Sequence, residues 1–429
     1  MGKASLGQWL ERLETLHPNA IDLGLERVAS VARTLDLLPL VQPVITVAGT
    51  NGKGSTVAVL EAITGQAGLV SGSFTSPHLL RFNERIRVGG AEAGDGEIVA
   101  AFEAVDRARG QTGLTYFEFA TLAALLVFRA RKPDIVVLEV GLGGRLDAVN
   151  IVDPTVAVIT SIDLDHQQWL GDSRGAIALE KAGIVRRGRP LVIGEPRPPA
   201  ELLAAVAEAG ARPVYRLGRD YTVTAGATGW RGVLTGRGGA QRALPGQPPG
   251  PLLPANICCA LQAALAVGLE FSDEEFERAL AVARPRGRCE TLHLAGKHYL
   301  LDVAHNPAAV DNLIKKLSAT DCKGKTFAFF SAMADKDIKS MIEISSKSFD
   351  GWFLADQATN PRAARAADIA SLLRDHGQDR VSVSKDLPQA WRRAQQEMSE
   401  GDRLVVFGSF YTVGEAARLF DRDSCVGET

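Results

Sequence analysis

The sequence predicts an α/β protein: a first domain with a mainly parallel central sheet between helices, followed by a smaller α/β domain. Three observations carry this expectation. Val44-Ile45-Thr46-Val47-Ala48 and the runs at 134–140 and 155–161 are apolar without alternation, the pattern of strands buried on both faces. Helix-length stretches separate them, as crossover connections require. Beyond Arg284-Pro285-Arg286-Gly287-Arg288 the strand-helix alternation starts afresh. The expected boundaries are a first domain at 1–284, a linker at 285–289 and a second domain at 290–429.

Taken in order, residues 5–40 read as helix, with Leu6, Trp9, Leu10 and Leu13 on one face and a second run from Leu23 to Leu38 after His17-Pro18. The first strand runs into Gly49-Thr50-Asn51-Gly52-Lys53-Gly54-Ser55-Thr56 and then a helix from Val57 to Ala67. Residues 69–74 read as a strand ending in Thr75-Ser76-Pro77-His78, and helices are expected at 97–109 and 117–131. Many glycines and β-branched alternation across 218–250 suggest small antiparallel hairpins, and Pro254 to Gly268 reads as helix. In the second domain, strands are expected at 298–303, 325–330, 352–355 and 403–407, with a helix at 307–317.

At 429 residues the chain can bury two or three cores. Its 48 basic and 50 acidic residues leave a net charge of −2, so no overall field draws in nucleic acid or an anionic membrane. The 5 cysteines lack paired metal-ligand spacing, which argues against a disulfide framework or zinc and fits a reducing cytoplasm. No apolar stretch is long enough to span a bilayer, and Glu11, Arg12 and Glu14 stand where a signal peptide would be apolar.

The chemistry-bearing residues fall at strand ends, the edge where ligands of such sheets bind. A β-branched strand entering glycines, a lysine and a hydroxyl pair ahead of a helix suits a polyphosphate: backbone N–H groups converge on it, and Lys53 neutralises its outer charge. Gly54 separates Lys53 from Ser55, a departure from the common P-loop spacing. Glu139 precedes Gly141-Leu142-Gly143-Gly144 and suits either Mg²⁺, which favours oxygen ligands, or an ion pair with Arg145. His166 fits a ligand, a proton carrier or a hydrogen-bonded structural group. Lys181 reads on its own as a solvated helix lysine. Asp302 and His305 end a strand before Pro307, and Ser409 holds the same kind of place; Asp302 fits a turn cap as well.

Nine strings in order closely resemble bacterial folylpolyglutamate synthase, often bifunctional as dihydrofolate synthase, in the Mur ligase superfamily. They are V-A-G-T-N-G-K-G-S (47–55), S-P-H-L (76–79), R-F-N-E-R-I-R-V (81–88), L-T-Y-F-E (114–118), L-E-V-G-L-G-G-R-L-D-A-V-N (138–150), D-H-Q-Q-W-L-G (165–171), E-K-A-G-I (180–184), D-V-A-H-N-P (302–307) and G-S-F (408–410). The resemblance implies a Mur-ligase-like fold, a P-loop ATPase domain plus a smaller Rossmann-like C-terminal α/β domain. It also implies ATP-dependent joining of L-glutamate to a folate-type carboxylate through an acyl phosphate, as a cytoplasmic monomer.

By motif position, the resemblance places Thr50, Asn51, Gly52, Lys53, Gly54 and Ser55 on the triphosphate, with Asn256, Arg288 and Asp302 also reaching the nucleotide. Ser76, Glu139, His166 and a carbamylated Lys181 would serve the metal, two Mg²⁺ ions with K⁺ as a further candidate. Asp22, Leu23, Gly24, Leu25, Thr115, Phe117, Leu146, Asp147 and Ala148 would meet the pterin, Asp147 at its donor-rich edge and Phe117 on its ring. His305 and Ser409 would serve glutamate. Lys53, His166, Lys181, Asp302 and His305 are the expected catalytic set. The pattern is of the bifunctional type, so both dihydropteroate and reduced folates are expected acceptors. Two departures stand out: Arg286-Gly287-Arg288-Cys289 lacks the family's usual proline and aromatic, and 320–360 is less typical. Domain closure about 284–290 is expected, since ATP and glutamate motifs lie in separate domains. Two other readings share parts of this pattern: a Mur ligase for a peptidoglycan nucleotide, and a nucleotide-gated binding protein without ligase activity.

Overall fold

Strands β1 (Val44–Ala48), β2 (Ser71–Phe74), β3 (Ile86–Val88), β4 (Ala91–Glu92), β5 (Ile135–Glu139), β6 (Val156–Ile159), β7 (Leu191–Ile193) and β8 (Val214–Arg216) form one sheet in the order β4-β3-β2-β5-β1-β6-β7-β8. The pairs from β2 to β8 are parallel, and β3 and β4 close one edge antiparallel. The computed structural model describes residues 4–17, 21–226, 228–358 and 360–426. Two units result, Met1–Ala283 and Arg284–Thr429.

The unbroken apolar runs are explained by cover on both faces of this sheet. Val44, Ala48, Val136 and Leu138 pack with Phe119, Leu122 and Phe102 of the helices Asp95–Arg109 and Tyr116–Arg131. Ile45, Val47, Val137 and Val158 face the helices Lys53–Gln66 and Pro254–Val267 through Val57, Leu60, Ile63 and Leu261. Each of these Val, Leu, Ile and Phe side chains, removed wholly from water, contributes about 1.5–3 kcal/mol. Register sets Val47 opposite Glu139 and Ala48 opposite Ile159, so the carboxyl ends of β5, β1 and β6 share one edge.

The helix expected over 5–40 is two helices, Leu6–Leu16 and Glu26–Thr34. Ser5 starts the first with a capping box, and His17 ends it in extended conformation; Pro18 lies outside the described residues. The second stops before Asp36, at φ 54°, so it is shorter than the run from Leu23 to Leu38. The glycine-rich stretch forms β9 (Thr222–Gly226), β10 (Gly229–Thr235) and β11 (Gln241–Ala243), antiparallel in the order β11-β10-β9.

In the second unit, β12 (Glu290–Leu294), β13 (Lys297–Leu301), β14 (Thr326–Phe330), β15 (Gly351–Ala355), β16 (Val381–Ser384) and β17 (Arg403–Phe407) form a sheet in the order β12-β13-β17-β14-β15-β16. Only the β12–β13 pair is antiparallel. Phe330, Trp352 and Phe407 centre one face, with Val310 and Leu313 of the helix Pro307–Ser318. Arg286 pairs with Glu290 at 3.4 Å, and Val303 N–H donates to the Gly287 carbonyl at 2.9 Å, which ties 286–287 to this unit.

Candidate active site

The turn after β1 is built from glycines because side chains would not fit. A Cβ on Gly49 would fall 1.8 Å from Thr160 Oγ1. Gly52 has φ +87°, and a Cβ there would stand 2.6 Å from Asn256 Oδ1, so the structure seats Asn256 directly against the loop. The loop is sewn to the segment after β6: Thr50 Oγ1 donates to the Asp163 carbonyl at 3.1 Å and accepts from Asp163 N–H at 3.0 Å. Asn51 N–H donates to Ser161 Oγ at 2.9 Å, and Thr160 Oγ1 donates to the Asn51 carbonyl at 2.6 Å. Lys53 Nζ donates to the Gly49 carbonyl at 2.9 Å. Gly52 gives the helix Lys53–Gln66 no side-chain cap, which leaves its first N–H groups to an anion.

Glu139 is 3% exposed at the end of β5, and its Oε2 accepts Ser76 N–H at 3.2 Å. Arg145 pairs instead with Glu180 at 2.8 Å, which removes the ion-pair reading of Glu139. A buried cation does stand near Glu139: Arg85, whose Nε donates to His78 Nδ1 at 2.9 Å. Burial pulls the Arg85 pKa down, against the charges of Tyr116 and Glu139. Arg85 sits within the quoted 81–88 string but carried no assigned role; only the packed structure reveals its position.

His166 stands at φ 51° ahead of the short helix Gln167–Leu170, and its backbone N–H donates to Asp165 Oδ1 at 2.8 Å. Lys181 overturns the solvated reading, since it is 2% exposed. Burial, then the charge of Lys53, lower its pKa to about 7, opposed by Asp165 and Asp163. A lysine with its pKa brought near 7 keeps a substantial neutral fraction at that pH, and the neutral amine is a nucleophile toward CO₂. Asp163 itself is raised by burial and by Glu195, and Glu195 fixes this segment by accepting Ile162 N–H at 3.0 Å.

Of the pterin set, Phe117 lies 5.6 Å from the Phe74 ring and directly over Gly141, whose Cβ would meet it at 2.7 Å. Asp147 is 4% exposed; its Oδ2 accepts Leu142 N–H at 2.8 Å and its Oδ1 accepts Val149 N–H at 3.1 Å. Burial raises its pKa to about 7 in spite of those donors and Lys53. Thr115 caps the helix Tyr116–Arg131, Leu146 is half-buried, and Ala148 opens the turn that Asp147 caps. Asp22 pairs with Arg27 at 2.9 Å, while Leu23, Gly24 and Leu25 are half-buried.

In the second unit, Asp302 Oδ1 caps the turn through Ala304 N–H at 2.8 Å, and Oδ2 accepts Cys289 N–H at 2.8 Å. His305 Nδ1 lies 2.8 Å from the Val303 carbonyl; a carbonyl only accepts, so the proton is on Nδ1 and a neutral ring carries its lone pair on Nε2. Arg288 lies 5.0 Å over the Phe410 ring, and His305 is 6.0 Å from the same ring. Ser409 is buried and bonds Thr412 Oγ1 at 2.7 Å. Gln357 Nε2 joins Thr412 Oγ1 at 3.1 Å to Ser331 Oγ at 2.8 Å. That buried network at the carboxyl ends of β14, β15 and β17 was missed, because Ser331 and Gln357 lie in the stretch with no recognisable string.

Among the described residues, no group of three or more His, Cys, Asp and Glu side chains forms a metal cluster. The donors present still suit Mg²⁺, which is held by one or two carboxylates and keeps waters and substrate phosphates in its shell: a buried carboxylate, Glu139, stands one strand from the phosphate loop.

Geometry of this kind defines a class, and the domain comparisons agree: residues 47–225 match the Mur ligase middle domain and 287–410 the Mur ligase, glutamate ligase domain. The protein is a Mur-type ligase in architecture. A dihydrofolate synthase/folylpolyglutamate synthase of Escherichia coli K12 is 40% identical over 417 residues, covering 97% of this chain and 96% of that one. The chain belongs to the dihydrofolate synthase/folylpolyglutamate synthase family. Its solved neighbours include E. coli FolC in complex with DHPP and ADP, with TM-score 0.92, 38% identity and coverage of 98% and 99% of the two chains. The Yersinia pestis bifunctional synthase complexed with AMPPNP and Mn ion superposes with TM-score 0.89 at 41% identity, covering 97% and 98%.

Proposed function

We propose that this chain is an ADP-forming ligase that joins L-glutamate to dihydropteroate, giving dihydrofolate, and to reduced folates, giving folylpolyglutamates. The observation that carries the reading is the uncapped helix behind Gly52, with Lys53 at its start and buried Glu139 on the adjoining strand. A carboxylate cannot expel oxide. Its oxygen therefore attacks the γ-phosphorus of ATP, the bond to ADP breaks, and an acyl phosphate forms. The glutamate amine adds to the acyl carbon, loses a proton, and phosphate departs with both electrons of its C–O bond.

Thr50 to Ser55 cradle the triphosphate. The N–H groups of Thr50 and Asn51 are taken up by Ser161 and fix the loop. The uncapped N–H groups at the start of the helix Lys53–Gln66 meet the phosphate, and Lys53 balances charge on the transferred phosphoryl group. Asn256, Arg288 and Asp302 keep the nucleotide roles given by motif position. Ser76, Glu139, His166 and Lys181 as a carbamate would hold divalent metal, which when bound neutralises phosphate charge. The finer reading is two Mg²⁺ ions, with K⁺ a monovalent partner of the same oxygen ligands. The residues at 22–25, Thr115, Phe117 and 146–148 orient the pterin, and His305 and Ser409 serve glutamate, so that amine and acyl carbon meet in order. Lys53, His166, Lys181, Asp302 and His305 form the proposed catalytic set. The protein works as a cytoplasmic monomer in this reading; among the described residues no helix is long and apolar enough to cross a membrane.

Purified protein given ATP, Mg²⁺, L-glutamate and either dihydropteroate or tetrahydrofolate is expected to release ADP and phosphate with a glutamylated product. Absence of product with both acceptors overturns the proposal. Product from a UDP-muramoyl peptide alone would move the chain to peptidoglycan chemistry, and ATP turnover indifferent to acceptor and glutamate would make it a nucleotide-gated switch.

A further inference from the structure

The proposed pterin subsite draws on two stretches far apart in sequence. Residues 22–25 form the turn ahead of the helix Glu26–Thr34, and residues 115–117 open the helix Tyr116–Arg131. One guanidinium joins them. Arg27 Nη1 lies 2.9 Å from Asp22 Oδ2, and Nη2 donates to the Asp22 carbonyl at 2.7 Å. The same Nη2 reaches Glu118 Oε1 at 3.1 Å. Glu118 is 3% exposed, and its Oε2 accepts Thr115 N–H at 2.8 Å while Thr115 Oγ1 accepts Glu118 N–H at 3.3 Å. A continuous chain of charge-assisted bonds thus runs from the backbone and carboxylate of Asp22, through Arg27 and Glu118, to the backbone of Thr115. His17 Nε2, 3.5 Å from Asp22 Oδ2, braces the near end.

We infer that Arg27 is a positioning residue for the pterin acceptor, fixing the two walls of its subsite against each other through Glu118; the inference rests on the folate reading above. The chemistry demands arginine. Three acceptors on two segments match a planar fork, whereas a lysine is a point charge on a flexible stem. Glu118 is too buried to go unpaired without cost, so it holds the guanidinium as firmly as the guanidinium holds it. The phosphate loop is fixed by other bonds, to Ser161 and Asp163, so the effect is confined to the acceptor.

The test is a set of steady-state parameters for Arg27→Gln, Arg27→Lys, Glu118→Gln and the double variant Arg27→Gln with Glu118→Gln, beside an equilibrium titration of dihydropteroate by its fluorescence. Misplacement by about 1 Å can cost as much as about 100-fold, so Arg27→Gln is expected to raise the KM for dihydropteroate at least about tenfold, with KM for ATP and L-glutamate held within about twofold. Arg27→Lys, able to serve one segment at a time, falls between. Glu118→Gln keeps an acceptor for Thr115 N–H, and the double variant is expected to be no worse than Arg27→Gln alone, because both changes cut one chain. Failure of wild-type protein to glutamylate both dihydropteroate and tetrahydrofolate overturns the folate reading, and the positioning role with it; if only tetrahydrofolate is accepted, its KM is the one compared. Intact wild-type binding with an unchanged acceptor KM in Arg27→Gln overturns the positioning role alone, as does a parallel loss in all three KM values. If Arg27→Gln does not fold, Arg27→Lys decides by the same split.

Discussion

Lys181 shows at the scale of one residue how packing reverses a reading taken from the sequence. Its helix, Arg174–Ala182, has ordinary composition, and nothing in E-K-A-G-I says which face is covered. Close packing of this helix is visible at Gly144, where a Cβ would lie 2.9 Å from the Glu180 carbonyl oxygen and 3.2 Å from Lys181 Cα; only a glycine lets that loop backbone approach. With its pKa brought to about 7 by burial and Lys53, Lys181 binds a proton less readily folded than unfolded. Between pH 7 and the ordinary lysine range the unfolded chain therefore holds more protons, and stability rises with pH across that window. In CO₂-free buffer, Lys181→Met is expected to raise Tm, and by more at pH 6, where the buried amine must be charged, than at pH 9. A larger gain at pH 9 would contradict the buried-amine account. With ¹³C-bicarbonate present, the wild type is expected to show a carbamate carbon signal that Lys181→Met lacks, and Lys181→Ala is expected to lose most ligase activity. Wild-type rates in Lys181→Ala would return this lysine to a structural role.

At the scale of the element, the join of β1 to the helix Lys53–Gln66 was legible because every demand on it is local: β-branched strand, glycines, lysine, hydroxyls. What was not legible is why Gly52 must be glycine. Its positive φ alone would cost a side chain about 1–2 kcal/mol, and Asn256, more than two hundred positions away, occupies the space a Cβ would need. Gly52→Ala is expected to weaken AMPPNP binding at least about tenfold, as the helix start is displaced from its ligand. Adding Asn256→Gly relieves the clash and leaves the strain, so in urea unfolding the double variant should recover part, never all, of the lost stability. Full recovery would show that backbone strain contributes nothing. The same division runs through the other elements. The long buried strands β1, β5, β14 and β17 were read close to their observed bounds. The short β7 and β8 gave too few residues for a pattern, and β16 and the edge strand β12 are half-exposed, without the unbroken apolar run that marks the others.

Over the whole molecule, the fold class and the strand-end placement of candidate ligands could be read in advance because both follow from pattern and connection. Side-chain networks such as Arg27–Glu118 and Ser331–Gln357–Thr412 could not, since they depend on which distant segments the sheets bring together. The two units hold separate cores. Leu138, Val47 and Leu261 belong to cores of the first, and Phe330, Trp352 and Phe407 to the core of the second. Separate cores argue against a single cooperative unfolding step. Calorimetry of the unliganded protein is expected to resolve two transitions. The phosphate loop belongs to the first unit, so AMPPNP with Mg²⁺ should raise that unit's transition; at a hundred times the dissociation constant the added stability is about 2.7 kcal/mol. Lys53→Ala should abolish most of the shift, because Lys53 opens the uncapped helix behind Gly52 and its Nζ lies on the phosphate loop, against the Gly49 and Thr50 carbonyls. One transition with matching calorimetric and van't Hoff enthalpies would mean that the two cores melt together, and a shift undiminished in Lys53→Ala would remove the triphosphate from the loop that the fold sets out for it.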